Sequence, residues 1–136
     1  MYLLDTNVVS ELRRPERADP RVIAWAKSIP PAKLFLSVMS VLELEQGILQ
    51  MARHDPGQAE ILQDWLHRLV IPAFGDRILP VDLTVARRYA RLYVPDRRRE
   101  RNDLITATSE AHRLTLVTRN VRDFPDTATL DPWAGR

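Results

Sequence analysis

Short apolar runs alternate along this chain with longer segments whose apolar residues recur at helical spacing. The runs span residues 2–4, 34–36, 78–81 and 114–117, and a weaker one lies near Thr129 and Leu130. Strands that alternate with helices in this way form a parallel sheet with right-handed crossovers. The alternation therefore predicts an α/β fold, with a central, mostly parallel sheet flanked by helices. A chain of 136 residues can bury a real core, and we expect a single domain over 1–136.

Residues that favour helix starts lie between the apolar runs. Asp19 and Pro20 supply an N-cap and a first helical residue, and Ser37, or a capping box of Ser40 and Glu43, opens a longer helix. The third apolar run contains a proline, which cannot donate to a neighbouring strand and so predicts a sheet edge. The predicted helices span about 6–13, 20–28, 38–54, 58–69, 83–93 and 102–113. Thr6 or Asn7 opens the first of them, Asp82 opens the fifth, and Asn102 or Asp103 opens the last.

Composition narrows the chemistry. The chain has no cysteine, which excludes disulfides, thiol nucleophiles and zinc–thiolate sites. It begins without the basic leader of a signal peptide and has no run of about 18 apolar residues, so a cytoplasmic protein outside the membrane is expected. The net charge is +2, and nearly all its cations are arginines. Arginine suits phosphate recognition, but genomic base composition explains the same bias, so charge alone does not indicate a nucleic-acid partner.

Four acidic residues fall where a strand is predicted to give way to a helix: Asp5, Glu43, Asp103 and Asp123. The carboxyl ends of parallel strands share one edge of the sheet, where ligands bind. Carboxylates gathered there repel each other unless a cation lies between them, and Mg²⁺ or Mn²⁺ prefers oxygen ligands. Each acid alone is explained equally simply as a helix cap or a turn residue. Glu45, about 200° from Glu43 around the helix axis, is expected to face solvent.

Other well-known sites match poorly. A haloacid-dehalogenase phosphatase needs a second aspartate where Asn7 stands, and a response-regulator receiver needs paired acids and a later lysine that are missing here. His54, His67 and His112 lack the spacing of metal ligands. The chain has neither a glycine-rich phosphate loop nor a Gly-x-Ser-x-Gly elbow. A metal held by the four acids would activate water or bind a phosphate.

Four motifs, in order and at plausible spacing, resemble those of the PIN-domain ribonucleases, and among them the VapC- and FitB-like toxins of type II toxin–antitoxin systems. They are the segments 3–11 with Asp5, 37–47 with Glu43, 102–107 with Asp103, and 116–124 with Asn120 and Asp123. Segments 77–82 and 131–133 look FitB-like in particular. The third motif departs from the family pattern, with Thr106 where alanine is frequent. The resemblance covers essentially the whole chain.

The resemblance implies a PIN-like fold and a metal-dependent endoribonuclease, the toxin of a toxin–antitoxin pair. The implied ligands of Mg²⁺ or Mn²⁺ are Asp5, Glu43 and Asp103, with Asp123 or Asn120 completing the site and Thr6, Asn7 and Thr118 supporting it through hydrogen bonds. Implied partners are RNA, a second copy of the chain, and a DNA-binding antitoxin of the VapB or FitA type. The alternative is a weakly active or inactive partner protein that binds the antitoxin and supports operon repression.

A basic run precedes the third motif. Arg97, Arg98, Arg99 and Arg101 stand within a few residues of Asp103. They are interpreted as possible RNA contacts, because basic side chains attract the phosphate backbone. A solvated loop and a docking site for an acidic antitoxin segment remain open as alternatives. A homodimer is also expected, because the helices over 38–49 and 62–69 carry apolar residues beyond what one small domain readily covers.

Overall fold

The computed structural model describes residues 1–94, 100–124 and 127–134, without the side chains of Tyr93 and of residues 100–103. Its strands are β1 (Tyr2–Leu4), β2 (Leu34–Ser37), β3 (Ile78–Leu79), β4 (Thr115–Val117) and β5 (Thr129–Leu130). They form one five-stranded sheet in the order β3-β2-β1-β4-β5, and every strand pair is parallel. The predicted parallel sheet, and the edge position of its third strand, are confirmed.

Helices connect the strands. They are α1 (Thr6–Leu12), α2 (Pro20–Ser28), α3 (Val38–Met51), α4 (Pro56–Asp64), α5 (Ile71–Phe74), α6 (Leu83–Tyr93) and α7 (Glu100–Ala111), with a π-helical stretch at Trp65–Val70. Asp19, Ser37 and Asp82 cap α2, α3 and α6 through their side-chain oxygens, as predicted. Within the described ranges, no helix is both long and apolar enough to cross a membrane.

The sheet is covered on both faces. Leu3 and Leu4 are buried, and because successive strand residues point to opposite faces they join different clusters. Leu4 packs with Val8 and Val22 on the face covered by α1 and α2. Leu3 packs with Ile105 of α7 on the other face. A sheet covered on both sides leaves its strand ends as the place where polar side chains can gather.

The helix predicted over 58–69 is wrong in its bounds and its geometry. The α4 helix begins at Pro56 and ends at Asp64, after which the chain widens into the π-helical stretch and continues as α5. Pro72 explains the change, because it cannot donate to the carbonyl four residues earlier and its ring crowds that carbonyl. The Ile71 amide bonds instead to the Leu66 carbonyl, five residues back.

Other boundaries also move. The predicted strands at 78–81 and 114–117 shorten to β3 and β4, because Pro80 lacks an amide hydrogen and the Leu114 amide bonds to the Ser109 carbonyl at 2.8 Å. The α3 helix ends before residue 54, because residues 52–55 form the turn that leads into the α4 cap. The last long helix starts at Glu100 rather than at Asn102 or Asp103, so the predicted loop over 95–101 is wrong at its end, and its residues 95–99 lie outside the described ranges.

Candidate active site

Asp5 stands where β1 ends, and its carboxylate is held by two donors. The Asp5 amide still pairs with the Val117 carbonyl of β4 at 2.9 Å. One carboxylate oxygen accepts from the Thr6 amide at 2.8 Å, which makes Asp5 the N-cap of α1 in place of the predicted Thr6 or Asn7. The other accepts from the hydroxyl of Thr118, a fully buried residue after β4, at 2.8 Å. These bonds fix the carboxylate's orientation.

Thr6 connects this strand end to α3. Its hydroxyl oxygen lies 3.0 Å from the Ser40 hydroxyl oxygen and 3.2 Å from a carboxylate oxygen of Glu43. Ser40 is fully buried. The predicted capping box of Ser40 and Glu43 is therefore wrong: Ser37 caps α3 by accepting from the Met39 amide at 3.0 Å, and Ser40 turns inward. These contacts place Glu43 beside the helix that Asp5 caps.

Asp5 and Glu43 line one open cleft of about 520 Å³ at the carboxyl edge of the sheet. Every lining residue offers a side-chain oxygen: Asp5, Thr6, Asn7, Ser10, Glu11, Glu43 and Asn120. The side-chain oxygen of Asn7 is buried and has no hydrogen-bond partner among the described residues. Hard divalent cations prefer such oxygen-only surroundings. The donor set therefore fits Mg²⁺ or Mn²⁺.

Asp103 lies in the first turn of α7. The sequence placed it after a strand, and this prediction is wrong, because the element that precedes α7 is the helix α6. The α7 helix leads into β4 at the amino end of that strand, so its own N-terminus lies toward the carboxyl edge, on the side of the cleft. The described side chains contain no group of three acids or histidines that could hold a metal. Asp103, whose side chain is not described, stays the predicted third ligand.

The fourth position divides between two residues that the sequence left open. Asn120 lines the cleft, and its backbone amide donates a hydrogen bond to the Thr118 hydroxyl oxygen at 3.1 Å. Asp123 is exposed, at the end of the one-turn helix Val121–Asp123, and is not among the residues that line the cleft. The geometry favours Asn120 over Asp123 as the side chain that completes the site.

Sequence reasoning missed two residues of the cleft, Ser10 and Glu11. They lie one turn beyond Thr6 and Asn7 on α1, so the four share one helix face, a spacing that could have revealed them. Glu11 accepts from the Asp19 amide at 2.7 Å. Glu45, expected on the solvent side, pairs there with a ring nitrogen of His67 at 2.9 Å. Arg97, Arg98, Arg99 and the side chain of Arg101 lie outside the described part.

Comparison with known proteins identifies the family of this chain. The family model described as "PIN domain" matches residues 2–130. The chain belongs to the PIN-domain family. It is 36% identical over 140 residues to "Toxin FitB" of Neisseria gonorrhoeae, covering 98% of this chain and 99% of that protein. It is also 36% identical over 141 residues to "VapC ribonuclease Y4jK" of Sinorhizobium fredii, covering 98% of each. The solved "Structure of FitAB bound to IR36 DNA fragment" superposes with a TM-score of 0.85 at 33% identity, covering 98% of this chain and 96% of that chain. The resemblance to VapC- and FitB-like members of the family is thus confirmed.

Proposed function

We propose that this PIN-domain protein is a divalent-metal-dependent endoribonuclease and the toxin of a type II toxin–antitoxin pair acting in the cytoplasm. The observation that carries the proposal is the pair of carboxylates, Asp5 and Glu43, that faces one oxygen-lined cleft. Relatives named toxin and ribonuclease, alike over nearly their whole length, support it.

Asp5, Glu43 and Asp103 would hold Mg²⁺ or Mn²⁺ in this cleft, with Asn120, or Asp123, completing the set. When bound, the cation supplies the positive charge that activates a water and offsets charge at the phosphate. Thr118 and the Thr6 amide keep the Asp5 oxygens oriented toward the cleft. The Thr6 hydroxyl does the same for Glu43. Preorganised side chains of this kind lower the cost of assembling the site.

The activity is tested with purified chain, Mn²⁺ and a labelled single-stranded RNA several tens of nucleotides long. We expect internal cleavage that EDTA stops and added Mn²⁺ restores. Activity that persists in EDTA, or loss of nucleotides from one end only, would contradict a metal-dependent endonuclease. Asp5→Asn is the matched inactive variant, because asparagine also caps helices and should leave the fold intact.

The partners we propose are a cognate antitoxin and a second copy of this chain. Structural neighbours are toxin–antitoxin complexes, some bound to DNA, which supports the first partner. Leu49 and Leu69 are 58% and 64% exposed on the helical segments where an interface is expected, which supports the second partner. Sedimentation of a monomer at micromolar concentration would contradict the dimer.

A second candidate function is support of operon repression, with weak nuclease activity or none. The likeness to a FitAB structure solved on DNA favours it. Co-expression with the protein encoded immediately upstream, followed by a promoter DNA mobility-shift assay, tests it. If the chain strengthens DNA binding by that protein and wild-type RNA cleavage is absent, this function replaces the first.

Arg97, Arg98, Arg99 and Arg101 remain proposed RNA contacts. Replacing all four by glutamine should weaken RNA binding and flatten its salt dependence, because each lost phosphate contact removes roughly one released counterion. The rate of cleavage of bound RNA should change less. An unaltered salt slope would contradict an RNA role, and weaker inhibition by the antitoxin alone would indicate protein docking.

A further inference from the structure

A second groove, of about 390 Å³, continues from the cleft between α1, α3 and α4. Thr6, Ser10 and Glu43 line both the cleft and this groove, so the two spaces adjoin. The cleft is lined by oxygen-bearing side chains, whereas the lining of the groove is mainly apolar with a single basic side chain. The two spaces are therefore suited to different parts of one ligand.

Gly47 lies on the α3 wall of the groove, in the interior of that helix. A Cβ atom added there would meet no described atom within 4 Å, and the backbone is not in the left-handed region that favours glycine. A glycine inside a helix is less stable than an alanine. Neither packing nor conformation within the described chain requires it. The space in front of Gly47 is open, so a larger side chain at this position would extend into the groove.

Arg13 supplies the groove's positive charge. It follows α1 and is half-buried, and its guanidinium has no hydrogen bond or ion pair with the described residues. Burial, together with Arg14 and Arg17 nearby, lowers the pKa of its guanidinium, and Glu16 opposes this weakly. Arginine nevertheless stays charged. A partly desolvated cation among like charges favours an anionic ligand, and the guanidinium fork matches a phosphate. Trp65 presents a half-buried ring to the same groove.

We propose that this groove binds one nucleotide of the RNA next to the cleaved phosphodiester, with Arg13 on its phosphate and Trp65 against its base. This rests on the proposed ribonuclease function. Bases of single-stranded RNA stack on aromatic rings, and the stacking tolerates different sequences. The groove adjoins the cleft in which the phosphodiester is cleaved, Arg13 offers a cation for the neighbouring phosphate, and Trp65 offers a ring for the base.

Filling the groove tests the assignment without disturbing the core. In Gly47→Leu the new side chain enters open space, so the melting temperature should stay equal or rise, while the KM for RNA cleavage rises about tenfold or more and kcat falls less. Arg13→Gln should raise the KM similarly. Arg13→Lys keeps the charge but not the planar guanidinium, so its KM should lie between those of the wild-type protein and Arg13→Gln. Arg87→Gln removes the same charge from an exposed position on α6, outside the groove, and should leave the KM unchanged.

Two results would overturn the proposal. One is an unchanged KM in both Gly47→Leu and Arg13→Gln. The other is an unchanged KM with weaker inhibition by the cognate antitoxin, which would make the groove a protein-docking site. If wild-type protein does not cleave RNA, the ribonuclease proposal itself fails. Binding of a fluorescently labelled oligouridine then decides for the groove: weaker binding by Gly47→Leu supports it, and equal binding overturns it.

Discussion

Two aspartates cap neighbouring helices in the same way, yet their surroundings differ. Asp5 caps α1 by accepting from the Thr6 amide at 2.8 Å, and Asp19 caps α2 by accepting from the Arg21 amide at 2.9 Å. The Asp19 carboxylate also meets the Arg21 guanidinium at 2.7 and 3.1 Å. Asp5 is nearly buried, with 9% of the residue exposed, and among the described side chains its second carboxylate oxygen accepts a hydrogen bond from the Thr118 hydroxyl.

The difference lies in where each negative charge is balanced. Arg21, through its side chain and its amide, lowers the pKa of Asp19 to about 2, so that cap is complete within the chain. No basic side chain in the described ranges lies within ion-pair distance of Asp5, which shares its cleft with Glu43. Carboxylates that share one cleft favour a cation from outside the chain. Helix capping alone therefore cannot identify a functional aspartate, whereas the missing counter-charge can.

The largest losses of RNA cleavage are expected from substitutions of Glu43 and Asp103, the two proposed metal ligands besides Asp5. Glu43→Gln and Asp103→Asn should each reduce RNA cleavage more than a hundredfold, beyond the roughly 10–100-fold losses typical of supporting residues. Circular dichroism should show an unchanged fold. The matched control is Glu45→Gln, which removes a carboxylate that pairs with His67 away from the cleft. Wild-type cleavage by either variant would remove that residue from the site, and unfolding would point to a structural role.

A smaller loss is expected at Thr118. Thr118→Val keeps the shape of the side chain but removes the donor to Asp5, so cleavage should fall about 10–100-fold and unfolding free energy by about 1–3 kcal/mol. Thr118→Ser restores the hydroxyl and should recover most of both. If Thr118→Val and Thr118→Ser cleave equally well, the hydrogen bond to Asp5 does not position that carboxylate.

Metal binding should raise the stability of the wild-type protein. At a Mn²⁺ concentration about 100 times Kd, binding to the folded state alone adds about 2.7 kcal/mol. Asp5→Asn should show a much smaller rise in melting temperature, and Asp19→Asn the full rise. A melting curve of wild-type protein that does not move in millimolar Mn²⁺ would contradict a cation site formed without RNA or antitoxin.

The smallest effect is expected at the second cap. Because the folded pKa of Asp19 lies below its ordinary value of 3.8, its contribution to stability is complete above that pH and is lost as the pH falls through about 2. Asp19→Asn should remove this part of the acid dependence, measured by thermal melting between those pH values, with little change at pH 7 because asparagine still caps. An identical acid profile in both proteins would show that the pair with Arg21 contributes nothing.

Sequence patterns predicted the sheet well because each buried strand is a short apolar run bounded by helix-start residues. They failed where one proline acts at a distance, as Pro72 does on Trp65–Val70. The positions of Asp5 and Glu43 at the cleft agree with the prediction from the carboxyl edge of a parallel sheet, whereas Glu11 was missed. The sequence could not decide between Asn120 and Asp123, because that choice depends on a single turn after β4. The sequence also could not predict the groove at Arg13 and Gly47, since helices that are distant in sequence form it.

Cleavage of RNA by Asp5→Asn and Asp19→Asn, measured side by side in Mn²⁺, tests the central claim most directly. Both substitutions keep the helix cap and remove one negative charge, but Asp5 lines the cleft without a counter-charge from the described residues, whereas Arg21 balances Asp19 outside the cleft. The account predicts loss of cleavage in Asp5→Asn and wild-type cleavage in Asp19→Asn, with both proteins folded. Wild-type cleavage by folded Asp5→Asn, or equal loss in the two variants, would contradict it.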